Sequence, residues 1–282
     1  MTLAALLTLA LIAPPGQPNP KPTEIAIIVG PDSHAPETHE AASGGRLLKH
    51  LLENNKALPG IKAEVHYEWP KNESDLNNAS TLVFLGDLFP PSQFAEKDRV
   101  MESLGRLMDK GVGIVCIHYA TGIHPSDLPK EGEHPLLKWM GGYFANPGTP
   151  GHSSISRIYQ EAKITPKNTT HPINRGWKQF VIHDEPYTNN YFGKTGPGKG
   201  VTLLATSMLP PDSPKEETVA WSIQRPDKGR GFGVVMPHFY KNWLNKDLRK
   251  LILNGIVWTA RQEVPKNGFE SEAPNLEQFK KP

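Results

Sequence analysis

The stretch Gly111–Asp127, GVGIVCIHYATGIHPSD, decides the fold. Within it, Gly113–Ile117 is a continuous apolar run rich in Val and Ile, without polar alternation. That is the pattern of a strand buried on both faces of a parallel sheet. The run stops at His118, and Tyr119, Thr121, His124 and Asp127 follow in a polar segment. Ligands of open α/β sheets sit outside the carboxyl ends of the strands, so His118 is a candidate ligand or catalyst by position. The competing reading is an imidazole that merely caps a buried strand.

Upstream, Glu24–Val29 (EIAIIV) reads as another buried strand and runs into the polar loop Gly30-Pro31-Asp32-Ser33-His34-Ala35-Pro36. Thr38 is placed to cap a following helix with Leu47, Leu48, Leu51 and Leu52 on one face. Lys62–Trp69 alternates like a half-exposed edge strand, and Thr81–Leu85 is a third buried run ending at Gly86-Asp87. Ser92–Lys110 has helical spacing and stops at Gly111. This β-α-β-β-α-β order predicts an α/β fold, a doubly wound, mainly parallel sheet flanked by helices. Downstream, Leu136–Met140 reads as a short helix, and Ser154–Tyr159 and Gln179–Ile182 as weak strands. Val201–Thr206, Thr218–Ile223 and Gly231–Met236 are further strands, the last ending at Pro237-His238. Asn245–Ala260 is an amphipathic helix, and the polar tail from Glu263 either wraps the surface or frays. There is no internal repeat.

The 282 residues carry a net charge of +2 without a basic block, which argues against a nucleic-acid partner. Met1–Ala13 is an unbroken apolar segment followed by the Pro-rich stretch Pro14–Pro22. It is too short for a stable membrane anchor but suits the apolar region of a secretory signal, although the cationic start is missing. The expectation is a periplasmic or secreted protein with no stable membrane span once the signal is removed. Cys116, the only cysteine, is flanked by Val115 and Ile117 and reads as a packed, inert thiol. No GxSxG, GxGxxG or GxxxxGK[ST] motif follows a strand, so no nucleotide cofactor is expected.

Four buried runs end in polar clusters: Asp32-Ser33-His34, Gly86-Asp87, His118 and His238. In a parallel sheet these ends share one edge, which favours a functional site there. His152 and the cluster His183-Asp184-Glu185, followed by Tyr187, add imidazole and carboxylate groups. Such groups suit zinc or a similar divalent metal, here assembled from distant segments because no HExxH spacing occurs. His134-Pro135 and His171-Pro172 read as turn punctuation, and His50 and His66 as surface residues.

Several stretches in order resemble one family: Gly30–Glu40 (GPDSHAPETHE), Gly111–His118 with Tyr119-Ala120-Thr121, Gly141-Gly142-Tyr143-Phe144, His171-Pro172-Ile173, Asp184-Glu185-Pro186-Tyr187, Val219-Ala220-Trp221, Lys228-Gly229-Arg230-Gly231 and Asn254–Trp258. The chain is similar to the ThuA-like proteins, named for trehalose utilisation. The resemblance implies a class I glutamine amidotransferase-like fold, a flavodoxin-like three-layer sandwich. It also implies that His118 stands where an amidotransferase has its nucleophilic Cys, so glutaminase chemistry is not expected. The chain departs from the family in reading Pro237-His238 where Gly-His is usual.

The resulting division is a signal peptide and linker over 1–22, a ThuA-like domain over 23–262 and a C-terminal tail over 263–282. The family is linked to disaccharides and their 3-keto derivatives, and some members hold a metal. The expected activity is therefore a metal-assisted hydrolysis or isomerisation of a disaccharide or 3-keto-glycoside. His118 and His238 serve as metal ligands or proton carriers, and Glu185 as a third ligand or general base. His34, Asp184, Tyr187, His152 and Tyr119 orient the sugar or keto-sugar substrate. The alternative is a non-catalytic carbohydrate-binding or accessory module.

Overall fold

The computed structural model describes residues 22–131 and 133–280. The apolar leader and all but the last residue of the Pro-rich linker lie outside the described residues. Apolar runs become strands and amphipathic runs become helices in the order β1 (Thr23–Val29), α1 (Ala41–Glu53), β2 (Ile61–His66), β3 (Ala79–Leu85), α2 (Lys97–Asp109) and β4 (Gly113–Ile117). A short pair follows, β5 (Gly122–Ile123) and β6 (Phe144–Ala145), with α3 (Pro135–Met140) between them. The chain then adds β7 (Tyr159–Pro166), β8 (Phe180–Asp184), β9 (Val201–Leu209), β10 (Lys215–Gln224), β11 (Arg230–Val234) and α4 (Lys246–Thr259).

Nine strands form one sheet in the order β2-β1-β3-β4-β11-β10-β9-β7-β8. From β2 to β11 every pairing is parallel; from β11 to β8 every pairing is antiparallel. The parallel half is the doubly wound sheet that the sequence predicts. The crossovers β1-α1-β2 and β3-α2-β4 run in opposite directions along it, so the right-handed rule places α1 and α2 on opposite faces. Thr81 of β3 hydrogen-bonds Thr259 of α4, while Trp139 and Met140 of α3 lie over Gly231 of β11. The result is three layers, with Ile27, Val83, Val115 and Phe232 fully buried in register across the sheet. Cys116 is also fully buried, and burial pushes its thiol well above its ordinary range.

The antiparallel half forms a wing that curls back. Three strands separate β8 from β11, yet Asn242, beyond β11, donates to the carbonyl of His183 in β8 at 2.9 Å. The end of the wing therefore meets the carboxyl edge of the parallel half.

Some local expectations change. Thr38 does not cap α1: its hydroxyl turns back to the Ala35 carbonyl, and the carboxylate of Asp32 accepts the first helical N–H, from Ala41, at 2.8 Å. The helix predicted from Ser92 begins only at Lys97, because Pro90–Ser92 form a separate 3-10 turn. Ser154–Tyr159 is mostly irregular, and the strand begins where that stretch ends, at Tyr159. His134 and His171 each cap a short helical turn through Nδ1, as turn punctuation should. The tail wraps the surface and is anchored there: Val264 and Phe269 are fully buried, and Arg46 donates to the carbonyl of Phe279. No helix among the described residues is long and apolar enough to cross a membrane.

Asn245 caps α4 by accepting N–H groups from Asp247 and Leu248 at 3.0 and 3.1 Å. Asn245→Ala is expected to cost about 1 kcal/mol of stability, read as a lower urea midpoint at unchanged slope.

Candidate functional site

All four polar strand ends identified in the sequence meet at one place. β1 and β3 are neighbours at the point where the winding direction reverses, the place where α/β sheets bind ligands. Their loops cross tightly: a Cβ on Gly86 would lie 3.0 Å from the Gly30 backbone, and Gly86 adopts a φ of +138°. Only glycine fits such a crossing, and it sets Asp87 beneath the loop that carries His34 and His39. The N–H and hydroxyl of Ser33 donate to Asp87 Oδ2 at 2.8 and 2.6 Å. His34 Nδ1 and His39 Nδ1 both lie 2.8 Å from Asp87 Oδ1. Burial acts to raise the Asp87 carboxyl, but hydrogen bonds from His39 and Ser33 prevail and hold it well below the usual carboxylate range.

His118 stands at the sharp turn from β4 into the 3-10 helix His118–Thr121, with φ at +51°. For a non-glycine residue this left-handed backbone costs about 1–3 kcal/mol, the kind of strain that gathers at functional sites. Thr121 ties the turn by donating its hydroxyl to the His118 carbonyl at 2.6 Å. His238 lies four residues past the end of β11; the Met236–Pro237 bond before it, at the position where the family has Gly-His, is cis.

Three ring nitrogens converge here. His39 Nε2, His118 Nε2 and His238 Nδ1 can serve as one ligand set, all within 4.8 Å of one another. His238 Nδ1 is 3.1 Å from His118 Nε2 and 3.2 Å from His39 Nε2. A carboxylate or carbonyl oxygen only accepts, so two tautomers are fixed by their outer partners. His39 gives its Nδ1–H to Asp87, and His118 gives its Nδ1–H to the Val235 carbonyl at 3.1 Å. In the neutral rings both Nε2 atoms therefore turn lone pairs inward. His238 has at most one Nδ1 proton to offer these two acceptors, so at least one of the two close nitrogen–nitrogen contacts has no proton between the rings. A divalent cation satisfies that arrangement, and the oriented imidazoles are the donor set that zinc prefers.

Electrostatics favour the same state. Burial keeps His118 well below the usual imidazole range and His238 at about 4, with neighbouring imidazoles adding to both shifts. These two rings are thus neutral at pH 7, the form in which imidazole binds a metal. Glu185 enters from the wing, with Oε2 at 3.3 Å from His238 Nδ1 and 3.8 Å from His118 Nε2. Burial lifts its carboxyl to about 7; His39 opposes the shift and Asp184 adds to it. The buried Tyr187 hydroxyl donates to His118 Nε2 at 3.1 Å, and burial keeps this phenol protonated.

The structure thus gathers His118, His238, Glu185 and Tyr187, with His34 and Tyr119 beside them. His34 stacks on His39 with ring centroids 3.6 Å apart, and its ring meets Tyr119 edge-on at 5.7 Å. The half-buried Tyr119 donates its hydroxyl to Asn146 at 3.2 Å. His152 sits apart on a loop, its Nε2 2.7 Å from the Asn189 carbonyl and its ring against Tyr191. Asp184, expected beside substrate hydroxyls, is instead fully buried, with Oδ1 accepting the backbone N–H groups of His238 and Phe239. Sequence reasoning gives no role to His39 and none to Asp87 beyond marking a strand end. The available signal is a second imidazole five residues after His34 on the loop following β1. Asp32, His34, His39 and Asp87 also crowd together, but apart from the contact of His39 with His238 their hydrogen bonds go to each other, to Ser33 and to nearby backbone N–H groups. A surface concavity of about 840 Å³ lies at the other end of α1, between Asn54 and Glu272.

The family model described as ThuA, trehalose utilisation, matches residues 32–259. Among solved structures, a ThuA-like protein from Bacteroides uniformis is 16% identical, with 88% of this chain and 95% of that chain covered and a TM-score of 0.61. A ThuA-like protein from Parabacteroides merdae is 19% identical, with 90% and 98% covered and a TM-score of 0.57. A glutamine amidotransferase from Thermotoga maritima is 11% identical, with 92% and 99% covered and a TM-score of 0.42. No curated protein matches the chain.

Proposed function

We propose, from the premise that the chain belongs to the ThuA trehalose-utilisation family, that it is an exported, metal-assisted enzyme acting on a disaccharide or 3-keto-glycoside. The observation that carries this reading is the convergence of three imidazole nitrogens beside a carboxyl lifted to about 7. His39, His118 and His238 would hold the metal, zinc being the ion that best matches a set of neutral imidazoles. When bound, the metal supplies a Lewis acid that polarises a keto or hydroxyl oxygen of the sugar.

The remaining work belongs to side chains. Glu185 is the acid–base group: a carboxyl near 7 accepts a proton from carbon or water at neutral pH and can return it. Tyr187, whose phenol stays protonated, stacks on His118 with ring centroids 4.6 Å apart and holds that ring against the turn; its hydroxyl donates to Nε2 in the metal-free site and is released when a metal takes that lone pair. His34 and Tyr119 line the outer side of the cluster, where imidazole and phenol groups can orient sugar hydroxyls. Export is supported by the apolar segment Met1–Ala13.

The test joins two measurements: metal content of the purified protein and turnover of 3-keto-disaccharides. Bound zinc with turnover is the expected result. A metal-free, inert protein that still binds sugar would replace the enzyme with a carbohydrate-binding module. Because Asp87 fixes the tautomer of His39, Asp87→Ala is expected to weaken zinc binding about 10–100-fold in a competition titration with a chromophoric chelator.

A further inference from the structure

The site is assembled from two bodies. His39, His118 and His238 stand on the parallel half of the sheet, whereas Glu185 and Tyr187 follow β8 at the far edge of the wing. Something must fix the register between those bodies, because the acid–base carboxyl and the imidazoles share no strand pairing. Asp184, the last residue of β8, sits at that junction with a fully buried side chain.

Its Oδ1 accepts the N–H of His238 at 2.9 Å and that of Phe239 at 3.2 Å. Beside it, Asn242 donates to the His183 carbonyl at 2.9 Å. Among the described residues no cationic side chain pairs with this carboxylate. An unpaired buried carboxylate carries a desolvation cost that an amide or hydroxyl in the same place would avoid, so stability alone does not explain it. What a carboxylate adds is a strong, charge-assisted grip on two successive backbone donors.

We propose that Asp184 is a positioning residue, a clasp that docks the wing onto the turn after β11 and thereby sets Glu185 against His238. It touches no substrate and acts only through the backbone of the neighbouring ligand. The zinc part of the test below rests on the metal-assisted reading; the clasp itself does not.

The experiment compares wild type, Asp184→Ala and Asp184→Asn in the full chain. Hydrogen exchange of the His238 and Phe239 amides is followed by NMR without metal, and zinc affinity is measured separately. Asp184→Ala is expected to speed exchange at both amides at least about tenfold, since a hydrogen bond to a charged group is lost. Its zinc affinity is expected to fall about 10–100-fold, as when an outer partner of a metal ligand is removed. Asp184→Asn keeps an acceptor oxygen without the charge and is expected to restore both readouts in part, falling between wild type and Asp184→Ala. Unchanged protection in Asp184→Ala overturns the proposal, as does Asp184→Asn behaving like Asp184→Ala. Protection lost equally throughout β4 and β11 would make Asp184 an ordinary structural residue and overturn it too. If wild type binds no zinc, the metal reading fails while the amide comparison still decides the clasp.

Discussion

Glu185→Gln is expected to lower turnover of a 3-keto-disaccharide by about 10²–10⁴-fold, the range for losing a positioned acid–base group, with zinc still bound. The substitution keeps size and shape but replaces the ionisable carboxyl with an amide that neither takes up nor releases a proton. It should also change the pH profile. A base whose pKa is about 7 is active when deprotonated, so kcat/KM should fall as pH drops through about 7 in wild type. His118 and His238 are held low by burial and add no limb at that pH. In Glu185→Gln the limb near 7 should vanish from whatever activity remains. A wild-type profile flat through this region would remove Glu185 from the proton chemistry.

The second large effect belongs to His118→Ala. Its inward Nε2 lone pair accepts the Tyr187 hydroxyl in the metal-free site, and its Nδ1–H goes to the Val235 carbonyl. Truncation leaves both partners unsatisfied in a site where His118 is 4% exposed, so stability falls together with metal binding. Zinc affinity is expected to drop by more than the roughly 10–100-fold that follows loss of an outer partner. The left-handed backbone makes alanine a poor guest at this turn, whereas asparagine tolerates it better. His118→Asn therefore separates the two losses: the thermal midpoint should recover in part and the zinc affinity should not.

The sequence makes the parallel half of the fold legible because continuous Val- and Ile-rich runs have few other uses. Gly113–Ile117 ends at His118 in the structure as the pattern predicts. The convergence of Asp32-Ser33-His34, Gly86-Asp87, His118 and His238 is legible for the same reason, since parallel strands share a carboxyl edge. The wing is less so. Its strands are half exposed and separated by loops rich in Pro and Gly, and nothing local says that β8 returns to β11. That return is what brings Glu185 and Tyr187 to the imidazoles and buries Asp184. His39 lies on a loop without secondary structure, and only the Gly30–Gly86 crossing and the Asp87 carboxylate make it a partner of His238.

In the proposed site three imidazoles, with His39 among them, hold the metal while Glu185 is left for proton transfer. Zinc titration of the wild type, His39→Ala and Glu185→Gln tests this assignment most directly. The expected result is one tight site in the wild type, a loss of at least about 100-fold in His39→Ala, at or beyond the top of the outer-partner range, and near-native affinity in Glu185→Gln. Native affinity in His39→Ala, or a loss in Glu185→Gln as large as in His118→Ala, would contradict it.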